Sequence, residues 1–373
     1  MDALPSFTTL DADLAGAILT IDLGAIRANY RLLRDRLGGK RCAAVVKADA
    51  YGLGADRVAP GLADEGCDSF FVAHVGEGIV LRKILGAAPD IHVLNGLPPG
   101  AEEACIAAGL VPVINSAAQL AAWRGKAAAC GRILPAAVQV DSGMARLGMP
   151  PQEVELLAAD PGAFAGIEVK LVMSHFARAD EPHEASNGAQ RAAFEALAQK
   201  LPAAPRSLAN SAGIFLGTDH PFDLARPGAA LYGINPTPGL PNPMAPVVRL
   251  DAKVIQTRII EPDTGIGYGH AARADRRMQV ATIALGYADG WHRRAASAAF
   301  FDGARLPFVG RVSMDSIILD ISALPQGALA PGTLVELIGE HQTVDEVAAQ
   351  AGTIGYEILT SLGRRFHRVY KNG

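Results

Sequence analysis

Lys47 ends the apolar run Ala43-Ala44-Val45-Val46. A lysine avoids such a place while charged, because burying an ammonium costs several kcal/mol. Desolvation favours the neutral amine, and a neutral amine condenses with aldehydes to form a Schiff base. A surface lysine whose stem covers apolar neighbours would produce the same local pattern. Two further segments suit a phosphate: Asn210-Ser211-Ala212-Gly213 and Arg226-Pro227-Gly228-Ala229. Their small residues let backbone N–H groups approach an anion, and Ser211 adds a hydroxyl at a helix start. Each alone is an ordinary capped turn. Together with Lys47 they describe a cofactor with a phosphate at one end and an aldehyde at the other, which fits pyridoxal phosphate. Arg226 then has a chemical use. An arginine stays protonated, so it donates to the ring nitrogen of such a cofactor without yielding a proton to it. A structural ion pair with Asp223 or Asp141 is the alternative for Arg226.

These residues need a scaffold that brings strand ends together. Short apolar runs at 42–47, 69–74, 91–95, 111–115, 136–141, 170–175, 207–210 and 223–226 alternate with amphipathic segments such as 55–66, 76–85, 116–129 and 189–201. That alternation predicts parallel strands joined by helices. Eight units in about 200 residues fit a (β/α)₈ TIM-type barrel, whose active sites lie at the C-terminal ends of the strands. The last residues of the runs are Lys47, His74, Asn95, Asn115, Asp141, His175, Asn210 and Arg226. A doubly wound open sheet is the alternative, but no G-x-G-x-x-G follows the first strand. Pro236, Pro238, Pro241, Pro243 and Pro246 mark a boundary, after which β-rich runs separated by Gly, Pro and Asp dominate. The expected domains are a barrel over 15–242 and a mostly β domain over 243–373, the latter joined by segment 1–14.

The rest of the composition excludes more than it suggests. The chain has 373 residues, half of them hydrophobic, with a net charge of −4. No long run of like charge points to a nucleic-acid partner. The basic stretch Arg364, Arg365, His367, Arg368 reads as a solvated end. No apolar stretch of about 18 residues predicts a membrane span. The N-terminal segment lacks the basic start of a signal peptide. Four scattered cysteines, Cys42, Cys67, Cys105 and Cys130, suit a reducing, cytoplasmic setting better than a disulfide framework or a metal site.

Longer motifs carry a family resemblance. Val45-Val46-Lys47-Ala48-Asp49-Ala50-Tyr51-Gly52-Leu53-Gly54 resembles the cofactor-lysine signature of alanine racemases, pyridoxal-phosphate enzymes of fold type III. The resemblance continues through Asp141-Ser142-Gly143-Met144-Ala145-Arg146-Leu147-Gly148, Met173-Ser174-His175-Phe176-Ala177 and Asn210-Ser211-Ala212-Gly213. It goes on through Arg226-Pro227-Gly228-Ala229-Ala230-Leu231-Tyr232-Gly233, Gly265-Ile266-Gly267-Tyr268-Gly269, Gly286-Tyr287-Ala288-Asp289-Gly290, Gly310-Arg311-Val312-Ser313-Met314-Asp315 and Gly355-Tyr356-Glu357. The resemblance implies a barrel, a C-terminal β domain and a homodimer with active sites shared across the interface. It implies interconversion of L- and D-alanine, the isomerase step of D-alanine biosynthesis. Lys47 would hold the cofactor and act as one base. Tyr268 of the other subunit would be the second base on the opposite face. Tyr51, Ser211, Gly228, Ala229 and Tyr356 match phosphate contacts, with His175, Asn210 and Arg226 also at the cofactor. Arg146 and the Met314 backbone match substrate-carboxylate contacts, and Tyr287 matches a tyrosine that narrows the entrance. A phenol with a pKa of about 10 needs a cationic neighbour to serve as a base, and His175 and Arg226 are the expected sources.

One departure stands out. Many alanine racemases carry a carbamylated lysine two residues before the Asp-Ser/Thr-Gly segment, and this chain has Gln139 there. The expectation is that Gln139 supports the substrate arginine by accepting a hydrogen bond from Arg146 without supplying charge. Three other readings remain open: a broader amino-acid racemase, a basic amino-acid decarboxylase, and a non-enzymatic pyridoxal-phosphate carrier. The decarboxylases use a cysteine of the C-terminal domain, whereas all four cysteines here fall by residue 130. The second domain weighs against a carrier.

Overall fold

The structure is a computed structural model that describes residues 11–217, 222–295 and 297–373. The chain divides into two units, one of residues 26–245 and one of residues 11–25 with 246–373.

In the first unit the short apolar runs become parallel strands. Ala44–Val45, Ser69–Val72, Asp90–Val93, Val111–Ile114, Leu134–Gln139, Ile167–Met173 and Arg206–Ser207 pair in sequence order. Leu224–Ala225 pairs with Arg41–Cys42 just ahead of the first. The Asp223 and Arg226 N–H groups donate to the Arg206 and Ala209 carbonyls at 3.0 and 2.9 Å, which closes the ring of eight strands. Alternate residues point inward. Ala43, Val45, Phe71, Val111, Val113, Ala137, Leu171, Met173 and Leu224 therefore meet in one buried cluster inside the barrel. Helices Ala55–Asp64, Val75–Leu85, Glu102–Ala107, Ala117–Cys130, Pro151–Ala158 and Ala185–Ala198 connect the strands. The last two strands are followed only by the single turns Ala212–Phe215 and Ala229–Tyr232. These are the segments rich in small residues, and they leave backbone N–H groups at the strand ends. The Pro-rich boundary is anchored by buried Asn29, which accepts from the Ala245 N–H at 2.7 Å and donates to the Leu231 and Ala245 carbonyls.

The barrel interior holds an imidazole. His92 stacks on Phe71, with centroids 4.4 Å apart, and its Nδ1 has no partner among the described residues. Burial, helped by the charges of Arg41 and Arg226, pushes its pKa down to about 3. An unfolded histidine titrates near 6.5, so the unfolded chain takes up a proton that the folded one refuses. The stability tied to His92 is full above about pH 6.5 and is lost as the pH falls toward 3. We expect His92→Phe, which keeps the stacked ring, to make the urea midpoint less sensitive to acid. Measured at about pH 7 and about pH 4.5, parallel losses in parent and variant would refute this.

The second unit is a mixed β structure. Ala17–Asp22 runs antiparallel to Val248–Ile260 and parallel to His367–Lys371. The expectation that the barrel starts at residue 15 is corrected by this pairing, which gives 17–22 to the β unit. A lone six-residue alternation, buried at every second position, cannot by itself reveal which sheet it joins. Residues 11–14 of the segment expected to join the β domain group with it, and 1–10 lie outside the described residues. Val248–Ile260 also pairs with Met278–Ile283 and Leu334–Ile338, and Ile317–Asp320 and Ala298–Phe301 extend the sheet. The basic stretch near residue 365 is solvated at Arg364 and Arg365, as expected, but it is not a loose end. Arg365 pairs with Asp289 at 2.6 Å and Asp315 at 2.8 Å, and His367 begins a strand. Local charge density gave no hint of those carboxylates, 50 and 76 residues away in sequence.

Candidate active site

Lys47 follows the first barrel strand and opens an unusual turn. Ala48, Asp49, Ala50 and Tyr51 have φ of 53°, 56°, 53° and 56°, four successive non-glycine residues in left-handed conformation. Each such residue costs about 1–2 kcal/mol, so the turn persists only because its surroundings hold it. The Ala50 N–H donates to the Val46 carbonyl, the Gly52 N–H to Ala48 and the Gly54 N–H to Asp49. The Asp49 carboxylate accepts from the Ala55 N–H at 2.8 Å. The turn swings Tyr51 back under the strand, with its ring 4.7 Å from that of Tyr232. The Lys47 amine makes no hydrogen bond or ion pair with any described residue. Burial lowers its pKa, as does the charge of Arg146, and Glu77 opposes them.

The phosphate-suited segments meet this turn. The Ser211 hydroxyl oxygen accepts from the Gly228 N–H at 3.0 Å and the Ala230 N–H at 3.2 Å. With both lone pairs used, its own hydrogen is left to donate outward. A Cβ on Gly228 would lie 2.4 Å from the Tyr51 hydroxyl, so only glycine lets that phenol sit against the backbone. The Ala229 N–H is buried and donates to no described residue. A hydroxyl, a phenol and a free amide thus surround the backbone at 228–230, and the set suits a phosphate.

Arg226 lies fully buried at the last strand end. It donates to the Ser207 hydroxyl and to the Ser174 carbonyl, and approaches His175 Nδ1 at 3.4 Å. Neither carboxylate offered as an alternative touches it. Asp223 accepts from the Arg206 N–H, and Asp141 from N–H groups of its own loop. Burial lowers the guanidinium pKa to about 9, which still leaves it charged at neutral pH. His175 sits between donors. The Asn210 amide nitrogen approaches its Nε2 at 3.4 Å, because the Asn210 oxygen is taken by the Gly213 N–H. The surrounding protein, then Arg226, Arg146 and Lys47, push its pKa down to about 3. His175 is therefore neutral at pH 7. The expectation that it supplies positive charge is corrected, and Arg226 remains the cation of the pair.

Arg146 is exposed and makes no hydrogen bond with a described residue, but its loop is tightly held. Burial works against the charge of Asp141, yet N–H groups of Gly143, Met144 and Ala145 keep its pKa low. Gly148 packs so closely on Val140 that a Cβ would clash at 2.6 Å. Gln139 does not bond the Arg146 guanidinium as expected. Its buried amide donates to the Leu147 carbonyl at 3.2 Å, so it braces the backbone one residue further on.

The remaining predicted residues lie in the β unit. Tyr268, between glycines with φ of 67°, is 68% exposed. With His270 and Ser313 it lines an open cavity of about 680 Å³. The Tyr287 N–H donates to the Ser313 carbonyl at 3.0 Å and the Ala288 N–H to Met314 at 2.9 Å, which ties the two loops together. Arg365, bridging Asp289 and Asp315, locks them further. The Met314 N–H donates to no described residue, and its side chain is exposed, as are Tyr287 and Tyr356. Tyr356 rides on helix Gly355–Ser361, whose end packs on Gly290. Sequence reasoning missed Glu77, Tyr232, Asp289 and Arg365. Tyr232 and Asp289 stand inside motifs that carry the family resemblance, and Glu77 had a cue of its own, an acid three residues after a strand-end polar residue at a helix start.

The domain pattern described as "Alanine racemase, N-terminal domain" matches residues 21–236, and "Alanine racemase, C-terminal domain" matches 247–370. The chain belongs to the alanine racemase family. A family member from Mesorhizobium japonicum named "Alanine racemase, catabolic" is 67% identical over 96% of this chain and 94% of its own. The crystal structure of the alanine racemase from Bartonella henselae, described as having covalently bound pyridoxal phosphate, superposes with a TM-score of 0.92 at 43% identity. It covers 95% of this chain and 99% of that one. The biosynthetic alanine racemase of Pseudomonas aeruginosa superposes with a TM-score of 0.89 at 35% identity, over 96% and 100% of the two chains. Similar relatives thus include proteins named for both breakdown and synthesis.

Proposed function

We propose that this chain interconverts L-alanine and D-alanine with pyridoxal phosphate carried on Lys47. The observation that carries the reading is the joining, within one unit, of an amine with a lowered pKa to a set of phosphate donors at 228–230. The cofactor, when bound, withdraws electrons from the substrate α-carbon and so makes its proton removable. Ser211, Tyr51 and the Ala229 N–H hold the phosphate end, joined on this reading by Tyr356. Arg226 donates to the ring nitrogen and keeps its proton, while neutral His175 and Asn210 fix its direction. Arg146 and the Met314 N–H bind the substrate carboxylate. Lys47 Nζ moves a proton on one face, and Tyr268 Oη on the other.

Tyr268, Tyr287, Met314 and Tyr356 are all large and exposed in the β unit, as expected of a surface that another chain covers. On this reading the second chain is another copy, and Tyr268 serves the Lys47 of that copy. Tyr287 limits the substrate side chain to about a methyl group. No helix among the described residues is long and apolar enough to cross a membrane. The buried thiols Cys42, Cys67 and Cys105 suit the cytoplasm.

The test is racemisation by the purified protein supplied with pyridoxal phosphate. L-alanine and D-alanine, each incubated alone, should approach the same equal mixture, with L-serine and L-lysine converted far more slowly. Absence of D-alanine with cofactor bound would overturn the reading, and equal rates with lysine would replace it with a broad racemase.

A further inference from the structure

We propose that Glu77 is a positioning residue for Lys47, clamping the first peptide after it to the end of the neighbouring strand. The inference rests on the reading of Lys47 as the cofactor lysine. Glu77 stands in the first turn of helix Val75–Leu85, and a glutamate there ordinarily caps its own helix. The contact of its Oε2 with the His74 N–H, at 3.2 Å, is that ordinary cap. Its two shorter bonds reach beyond the helix. Oε2 accepts from the Ala73 N–H at 2.7 Å, and Oε1 accepts from the Ala48 N–H at 2.8 Å. One carboxylate therefore spans two strand ends, and the Ala48 amide it holds opens the left-handed turn.

That amide shares its peptide plane with the Lys47 carbonyl. Fixing the plane fixes the ψ of Lys47 and so the direction in which its side chain leaves the backbone. Ala48 to Tyr51 could each relax toward ordinary right-handed geometry if the plane were free to rotate. A carboxylate suits the task because it accepts on both oxygens, and bonds from N–H groups to an ionised acceptor are the stronger kind. A glutamine of equal length offers one acceptor oxygen and turns an NH₂ group toward an N–H.

The test compares the holoenzyme with Glu77→Gln and Glu77→Ala. Borohydride reduction followed by peptide mapping locates the lysine that holds the cofactor, and visible circular dichroism of the bound cofactor reports its orientation. We expect label on Lys47 in all three proteins. We expect an altered cofactor dichroism band and a kcat lower by about tenfold in the glutamine variant, with KM for alanine within about twofold. The alanine variant should lose more. A merely structural cap would lower thermal stability and leave the dichroism band and kcat unchanged in protein that remains folded, and that result overturns the proposal while Lys47 stands. Label on another lysine overturns the reading of Lys47 and the proposal with it. Hydrogen exchange in the unaltered protein is independent of how the variants fold. The Ala48 amide should be protected, and exchange at the rate of a free amide would overturn the clamp.

Discussion

Lys47→Ala is expected to abolish racemisation to the limit of detection, a fall in kcat of at least about a thousandfold. The substitution removes the group that attaches the cofactor and one of the two proton-transfer groups together. A positioned acid or base alone contributes about 10²–10⁴-fold. A thousandfold corresponds to about 4 kcal/mol of barrier. The surroundings of Lys47 make the loss specific. Its amine bonds no described residue, so truncation breaks no internal hydrogen bond or ion pair, and the left-handed turn is held by backbone and by Glu77 rather than by the lysine. The variant should therefore unfold at nearly the parent's temperature and still bind pyridoxal phosphate reversibly through the donors at 228–230. Dialysis should then strip the cofactor from the variant and not from the parent. A variant that keeps more than a tenth of parent kcat would remove Lys47 from the chemistry.

Tyr268→Phe is expected to lower kcat by about 10²–10⁴-fold in both directions while cofactor absorbance stays unchanged. Its diagnostic signature is an asymmetry. If Lys47 and Tyr268 work on opposite faces, losing one leaves the other competent. In deuterated water the variant should still exchange the α-proton of one enantiomer while exchange of the other collapses. Tyr268 is 68% exposed and the hydroxyl bonds no described residue, so a stability loss cannot account for the effect. Equal loss of exchange for both enantiomers would argue that Tyr268 shapes the site rather than moving a proton. If the charge that makes the phenol a usable base comes from Arg226, replacing neutral His175 by glutamine should disturb that base less than replacing Arg226 by uncharged methionine.

Much of this was legible in the chain because barrel chemistry concentrates at strand ends. Lys47, His175, Asn210 and Arg226 each end a short apolar run, and each lies where one pass along the chain places it. The β-rich character of the chain after the Pro-rich boundary was legible too, since alternation is a local signal. What escaped was whatever depends on a distant partner. Ala17–Asp22 has the alternation of any half-buried strand, and its assignment needs partners more than 200 residues away. Arg365 is exposed as expected, but its pairing was hidden because Asp289 and Asp315 are not its neighbours in sequence. Gln139 was read against the side chain of Arg146, but the buried amide turned to a backbone carbonyl, as buried amides do whenever one lies within reach. His175 was expected, from the family resemblance, to be a source of positive charge. Burial first, then the charges of Arg226, Arg146 and Lys47, decide otherwise.

The placement of Ala17–Asp22 between strands drawn from the far end of the chain also bears on how the protein comes into being. Asn372 donates to the Asp22 carboxylate across 350 residues of sequence. On a ribosome moving at about 5–20 residues per second, the early strand waits roughly 20–70 s for that neighbour. For about the last third of that interval every residue of the barrel unit has already been made, while the early strand still lacks its C-terminal neighbour. Unpaired strand edges are where chaperones bind and where growing chains stick to one another. Yield in the cell should therefore depend on the pace of translation through the last third of the message, a property invisible in any measurement on the mature protein.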